Sequence, residues 1–300
     1  MRNYMLIGFL LITTADVTSS SPSSHNEIQM GTTIVAAKFK DGVVVGADSR
    51  TSVSGYVSNR FASKITFVLD PRDDERAFGW DERARRNQND EEEDDTILST
   101  CCICRSGSAA DTQRVAEIVR ETLYSRNIRS HGLRPGTVSN VAQCVRQVLL
   151  QNPALSCSLI VAGYDHEDKR GVIYTVNPGG SMMEHGDDDV ALMGSGSMGI
   201  MGYVDDHNHN RNAGAGSTPT FGCNVDEETC VSFVSNAIQL AINRDGSSGG
   251  DILLYVIDKF GKHKMLQTPG LSKDANHQNN KNLPLSSTLE GFAPPKSQII

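Results

Sequence analysis

The sequence predicts two layers of sheet flanked by helices, a mixed α/β sandwich, in a chain long enough to bury one sizeable core. Three observations carry this. Short β-branched runs pair around glycine turns near the start, two helical segments follow one another mid-chain, and a third amphipathic helix precedes the closing strands. Thr32–Phe39 is β-branched, Lys40-Asp41-Gly42 marks a turn, and Val43–Ala47 returns as a buried strand, so the pair reads as a hairpin. Ile97–Cys104 is a further strand, which Arg105-Ser106-Gly107 is expected to break.

Helical spacing follows. Ala109–Arg126 puts Ala110, Val115, Ile118, Val119 and Leu123 on one face, and Thr137–Gln151 does the same with Val138, Val141, Val145, Val148 and Leu149. Residues 156–164, 171–176, 181–184 and 190–193 read as strands. Asp226–Arg244 is an amphipathic helix whose acidic start at Asp226-Glu227-Glu228 suits a helix N-terminus. Strands at 251–258 and 262–266 close the pattern.

The net charge of −8 gives no support for nucleic-acid binding, for which a basic patch is the usual footprint. The seven cysteines lack paired zinc-type spacing with histidines and read as buried reduced thiols of a cytosolic protein. Two segments interrupt the pattern. Asp70–Asp95 holds 12 acidic and 5 basic residues and is expected to be a disordered loop, inserted at about 70–96. Residues 206–221, rich in Asn, Gly and His, read as a second inserted loop. His207 and His209 lack a carboxylate or cysteine partner in register, so no metal site is assigned. The polar stretch 268–300 reads as a flexible tail. At the other end, Arg2 precedes the apolar run Met5–Ile12. This has the look of a secretory signal but is too short to span a membrane. The competing reading is a propeptide, residues 1–31, removed at Gly31.

Six motifs occur in one order: Thr32-Thr-Ile-Val-Ala; Gly46-Ala-Asp48-Ser-Arg50; Asn59-Arg60 with Lys64; Cys104-Arg-Ser-Gly107-Ser-Ala-Ala-Asp111; Gly194-Ser195-Gly-Ser197; and Arg244-Asp245-Gly-Ser-Ser248-Gly-Gly250. Together they resemble a β subunit of the 20S proteasome, most of all the type-1, caspase-like subunit associated with cleavage after acidic residues. The resemblance runs from about Thr32 to Leu266, apart from the two interrupting segments. It implies an α+β fold, the four-layer αββα sandwich of N-terminal nucleophile hydrolases, with two mixed or antiparallel sheets between helix layers. The protease domain is then 32–267. Implied partners are other α and β subunits in a stacked-ring complex and unfolded polypeptide substrates, with no nucleic acid, membrane or cofactor, in cytoplasm and nucleus.

The chemistry can be rebuilt from the residues. Cutting Gly31-Thr32 would leave Thr32 with a free α-amine beside its own hydroxyl, a base next to a nucleophile. A free α-amine titrates near about 7.7–8.0, and a neighbouring cation lowers that value. Lys64 is the candidate cation and Asp48 the carboxylate that would keep it charged. The resemblance implies that the Gly107 N–H stabilises the oxyanion and that Ser195, Asp245 and Ser248 hold the amine. It also puts Arg105 at the base of the pocket for the residue before the cut, with Thr51, Ala62 and Ala109 as its small walls. A guanidinium there would favour Asp or Glu; the other reading of Arg105 is a structural salt bridge. The alternatives for the whole chain are a non-proteasomal N-terminal nucleophile amidohydrolase and a non-catalytic scaffold subunit. The scaffold reading sits poorly with Thr32, Asp48 and Lys64 all present.

Overall fold

The first hairpin is buried on both sides. Strand β1 (Ile34–Phe39) and strand β2 (Gly42–Asp48) pair antiparallel around Lys40-Asp41, with every residue of both strands buried. Such strands need apolar cover on each face. The period of two divides β1 accordingly: Ile34 and Ala36 face one way, Val35 and Ala37 the other. The computed structural model describes residues 31–53, 56–69, 99–129, 136–212, 220–260 and 263–268.

Two five-stranded antiparallel sheets form. The first has the order β10-β1-β2-β11-β12, with β10 at Val190–Met193, β11 at Ile252–Asp258 and β12 at His263–Thr268. The second has the order β5-β6-β7-β8-β9, running through Ile65–Leu69, Thr100–Gly107, Cys157–Asp165, Arg170–Val176 and Met182–Glu184. A small hairpin of β3 (Thr51–Val53) and β4 (Tyr56–Asn59) stands apart.

The sheets pack face to face through Ile34, Ala36, Val45 and Ala47 on one side and Cys102, Cys104, Ile160 and Ile173 on the other. Helices α1 (Ala109–Arg129) and α2 (Val138–Gln151) cover the outer face of the second sheet, where Val115, Val119, Val145 and Leu149 meet Ile103, Leu159 and Val161. Helix α4 (Glu227–Arg244) covers the first sheet, with Phe233, Val234, Ile238 and Ala241 against Val35, Ala37 and Val44. The layers are therefore helix, sheet, sheet, helix, as the sequence predicts. Asp226 caps α4 by accepting from the Thr229 N–H at 3.0 Å. Among the described residues no helix is long and apolar enough to cross a membrane.

Two local expectations are corrected and three strands are added. Arg105-Ser106-Gly107 does not break β6. The strand runs through it, and Gly107 pairs with Cys157 on β7. Strands β3, β4 and β5 go unread in the sequence because each is short and bounded by polar residues. Residues 201–212 form helix α3 (Met201–Asn212), so the segment expected as a loop from 206 is helical in its first half. Its Asp-Asn-His composition has poor helix propensity. Packing overrides that: Tyr203 and His207, four apart, lie against Phe233, and Val204 is buried. His207 Nδ1 is hydrogen-bonded to the Tyr203 carbonyl at 2.7 Å, while the side chain of His209 lies outside the described residues. Residues 1–30, 70–98 and 269–300, which carry the expected leader, acidic loop and most of the tail, also lie outside them. All seven cysteines are free and all but Cys223 are buried; burial, helped by Asp111, pushes the Cys157 thiol up to about 12.

Candidate active site

Most of the predicted catalytic residues collect at one edge of the first sheet because its central strands start or end there. Thr32 lies just before β1 and Asp48 ends β2. The turn 245–250 joins α4 to β11, and Ser195 follows β10. Register sets the alignment: Ile34 is opposite Ala47 and Asp48 is opposite Ile252. Lys64 comes from the other sheet, just before β5. It is held there by the Arg105 N–H, which donates to the Lys64 carbonyl at 2.8 Å.

Gly31 and Thr32 are still joined in this chain. The Gly31 carbonyl oxygen accepts from Thr32 Oγ1 at 2.7 Å and from Lys64 Nζ at 3.3 Å. Lys64 Nζ also donates to Asp48 Oδ1 at 2.6 Å, with both side chains buried. Asp48 is fully engaged, since Oδ1 also accepts from the Thr33 N–H at 2.8 Å and Oδ2 from the Gly249 N–H at 2.9 Å. Burial pulls the Lys64 ammonium below the ordinary lysine value. The charge and hydrogen bond of Asp48 oppose that, Asp245 adds to Asp48, and Arg50 works the other way.

A second network surrounds the Thr32 nitrogen, which donates to Ser195 Oγ at 3.2 Å. Ser195 Oγ and Ser248 Oγ each donate to Asp245 Oδ2 at 2.7 Å, and the Ser247 N–H donates to Asp245 Oδ1 at 3.0 Å. Burial alone would raise the Asp245 carboxyl. The bonds from Ser247, Ser248 and Ser195 outweigh burial and hold it below the usual range.

Gly107 ends β6 at φ 112°, and a Cβ there would lie 2.2 Å from the Ser156 carbonyl oxygen, so only glycine fits. It is not among the described donors to the Gly31 oxygen, which come from Thr32 and Lys64. Arg105 is half-buried on β6. Its guanidinium donates to the Ser63 carbonyl at 2.7 Å, beside Ala62, while Nε has no partner. Burial lowers its affinity for a proton, and no carboxylate of the described residues is paired with it. Ala62 donates from its N–H to the Ser49 carbonyl at 2.9 Å. Thr51 is half-buried at the start of β3, and Ala109 opens α1 four positions beyond Arg105.

Sequence reasoning missed Thr33, whose hydroxyl lies 2.8 Å from Ser248 Oγ, and Gly249, the second donor to Asp48. The doubled Thr32-Thr33 and the glycine pair after Ser248 were the available signals. Among the described residues no group of side chains suited to a metal ion occurs.

A family model described as "Proteasome subunit" matches residues 28–72 and 96–257. The chain is 36% identical over 239 residues to the probable proteasome subunit beta type-1 of Schizosaccharomyces pombe, covering 79% of this chain and 84% of that protein. It is 33% identical over 244 residues to the proteasome subunit beta type-1 of Saccharomyces cerevisiae, covering 81% and 91%. With the proteasome subunit beta type-6 of Arabidopsis thaliana it shares 34% over 233 residues, 77% of this chain and 79% of the other. The two-sheet core with its strand-edge cluster is accordingly the N-terminal nucleophile hydrolase fold, and the chain belongs to the proteasome β-subunit family.

Proposed function

We propose that this chain is a catalytic β subunit of a 20S proteasome, a threonine endopeptidase that frees its own nucleophile and then cuts polypeptides after acidic residues. The observation that supports this best is the convergence of Thr32 Oγ1 and Lys64 Nζ on the Gly31 carbonyl, with Asp48 holding the ammonium. In self-cleavage the Thr32 oxygen bonds to the Gly31 carbonyl carbon and the hydroxyl proton passes to the Thr32 nitrogen. The C–N bond then breaks to leave an ester. Water hydrolyses the ester, releasing residues 1–31 with a carboxylate and Thr32 with a free amine.

In the mature chain the same hydroxyl attacks a substrate carbonyl while the α-amine takes its proton. The positive charge of Lys64 disfavours a second positive charge on that amine and so keeps it basic at working pH. Ser195 and Asp245 orient the amine, and the Gly107 N–H serves the substrate oxyanion. Arg105, half-buried and with no carboxylate partner among the described residues, suits an Asp or Glu side chain with Thr51, Ala62 and Ala109 leaving room for it. The subunit works beside other α and β subunits in a stacked ring, on unfolded polypeptides, in cytoplasm and nucleus, and needs no cofactor. Residues 32–267 form the protease domain on this reading.

The test combines mass measurement of the mature chain with peptide hydrolysis by the complex that contains it. A Thr32 N-terminus and faster release from peptides ending Leu-Leu-Glu than from peptides ending in Tyr or Arg are expected, both lost in Thr32→Ala. Preference for Tyr sinks the acidic assignment, and an uncut, inactive chain returns the scaffold reading. A native mass of a small oligomer in place of a four-ring particle favours a non-proteasomal amidohydrolase.

A further inference from the structure

We propose that Thr33 is a positioning residue for the reaction: its buried hydroxyl, acting through Ser248, Asp245 and Ser195, sets the proton order of the network that holds the Thr32 amine. The proposal rests on the reading of Thr32 as the nucleophile.

Four contacts link Thr33 back to its neighbour in the chain. Thr33 Oγ1 lies 2.8 Å from Ser248 Oγ, Ser248 Oγ 2.7 Å from Asp245 Oδ2, Ser195 Oγ 2.7 Å from the same Oδ2, and Thr32 N 3.2 Å from Ser195 Oγ. Proton bookkeeping gives each contact a direction. An ionised carboxylate can only accept, and each serine has a single proton. Asp245 takes the proton of Ser248, so Ser248 must accept from Thr33. Asp245 also takes the proton of Ser195, whose other acceptor, the Thr32 carbonyl, is 3.5 Å away. Ser195 is then left to accept from the Thr32 nitrogen. All donors point toward Asp245, and Thr33 stands at the far end of one arm.

Thr33 also touches the other network, because its N–H donates to Asp48 Oδ1, the oxygen that holds Lys64. Its hydroxyl has no slack: it is fully buried, and a Cβ on Gly196 would lie 2.0 Å from Oγ1. The consequence for the amine follows from polarisation along the chain. Donation by Thr33 strengthens the bond from Ser248 to Asp245 and so draws charge from the carboxylate. Without it Asp245 presents more negative charge to the amine and favours its protonated, non-basic form. Lys64 from the segment before β5, Asp48 from the end of β2 and Arg50 also carry charge here, as does Arg244, whose guanidinium donates to the Gly199 carbonyl at 3.0 Å. Replacing Thr33 leaves all four in place.

The experiment compares Thr33→Val, which keeps the shape but cannot donate, with Thr33→Ser, which restores the donor. Both are made in the full chain within its native complex, and again with the leader replaced by a fusion removed by an added hydrolase, so that failed self-cleavage cannot hide the result. For T33V the expected outcome is an unchanged KM for an acidic peptide and a kcat lower by about two- to tenfold, the worth of one hydrogen bond. Activity rises with pH as the amine loses its proton, so the acid limb of kcat should move to higher pH, and T33S should return it. A T33V profile superimposable on the unsubstituted one overturns the proposal. So does a T33S enzyme as impaired as T33V, or a loss of kcat with no movement of the limb. Absence of Thr32-dependent hydrolysis in the unsubstituted chain fails the catalytic reading itself and takes this role with it.

Discussion

Gly31 and Ser247 are in direct backbone contact: a Cβ placed on Gly31 would lie 2.1 Å from both the Cβ and the carbonyl oxygen of Ser247. Ser247 cannot easily retreat, since its N–H is bound to Asp245 and its carbonyl accepts from Ser52 Oγ at 3.2 Å. Gly31→Val should therefore displace the carbonyl from Thr32 and Lys64 and leave the leader attached. Intact mass of the purified chain checks this, and normal trimming of the variant would refute it.

Lys64→Met should abolish hydrolysis, by at least about 100-fold, and should also destabilise the fold. It leaves Asp48 buried and unpaired, a loss of about 3–5 kcal/mol for a broken buried ion pair. Adding Asp48→Asn should not restore stability fully. Both Asp48 oxygens accept backbone N–H donors, and an amide nitrogen at either position would face another donor. Chemical denaturation of the two variants separates these outcomes.

Arg105→Met should lower cleavage after Glu by about 10- to 100-fold, the value of a charge-assisted hydrogen bond, and raise cleavage after Leu. Competition between paired peptides reads the ratio directly. An unchanged ratio would mean that Arg105 only supports the Ser63 carbonyl.

Asp245 gives a pH signature. Its folded carboxyl is held below the usual range, so its contribution to stability is complete above the ordinary carboxyl value and is lost as pH falls through the lower folded value. The gap in Tm between the unsubstituted chain and Asp245→Ala should thus be widest near neutrality and narrow as the pH falls below the ordinary carboxyl range. A gap that widens on acidification contradicts the assignment.

Lys38 makes a test away from the site. Its side chain is 1% exposed and donates to the His185 carbonyl at 2.9 Å and to Asp187 at 3.2 Å, while Asp187 is 61% exposed. Losing the ammonium leaves a carboxylate that water can solvate. Lys38→Met also strips the buried His185 carbonyl of its donor and should cost about 1–3 kcal/mol, whereas Lys38→Ala should cost about 2–5 kcal/mol more through the cavity it opens. Thermal melts of the pair distinguish charge from volume as the reason for a lysine here.

Long periodic elements were legible in the sequence. The helices over Val138–Gln151 and Glu227–Arg244 and the strands around Ile34, Val45 and Val161 follow from patterning that burial then enforces. The candidate site residues were legible as types, because a threonine after a glycine, a lysine and carboxylates in one order suit only a few chemistries. What was not legible came from tertiary contact. Helix α3 exists because Tyr203 and His207 find Phe233, and β6 continues past Arg105 because Leu159 and Ser158 lie opposite to pair with it. The part of Thr33 depends on Ser248, which is distant in sequence and becomes a neighbour only once β1 and the turn before β11 share an edge.

The β5–β6 hairpin has a consequence for how this chain tolerates change. Lys64 stands at one end of it, beside Arg105 and Gly107, and β5 carries the backbone away for about 16 Å to Leu69, at the opposite rim. Contour length and reach are thus uncoupled. Residues added or deleted between Leu69 and Ser99 lengthen or shorten the path from ammonium to guanidinium along the chain, while the ladder from Ile65–Cys104 to Phe67–Cys102 fixes their separation in space.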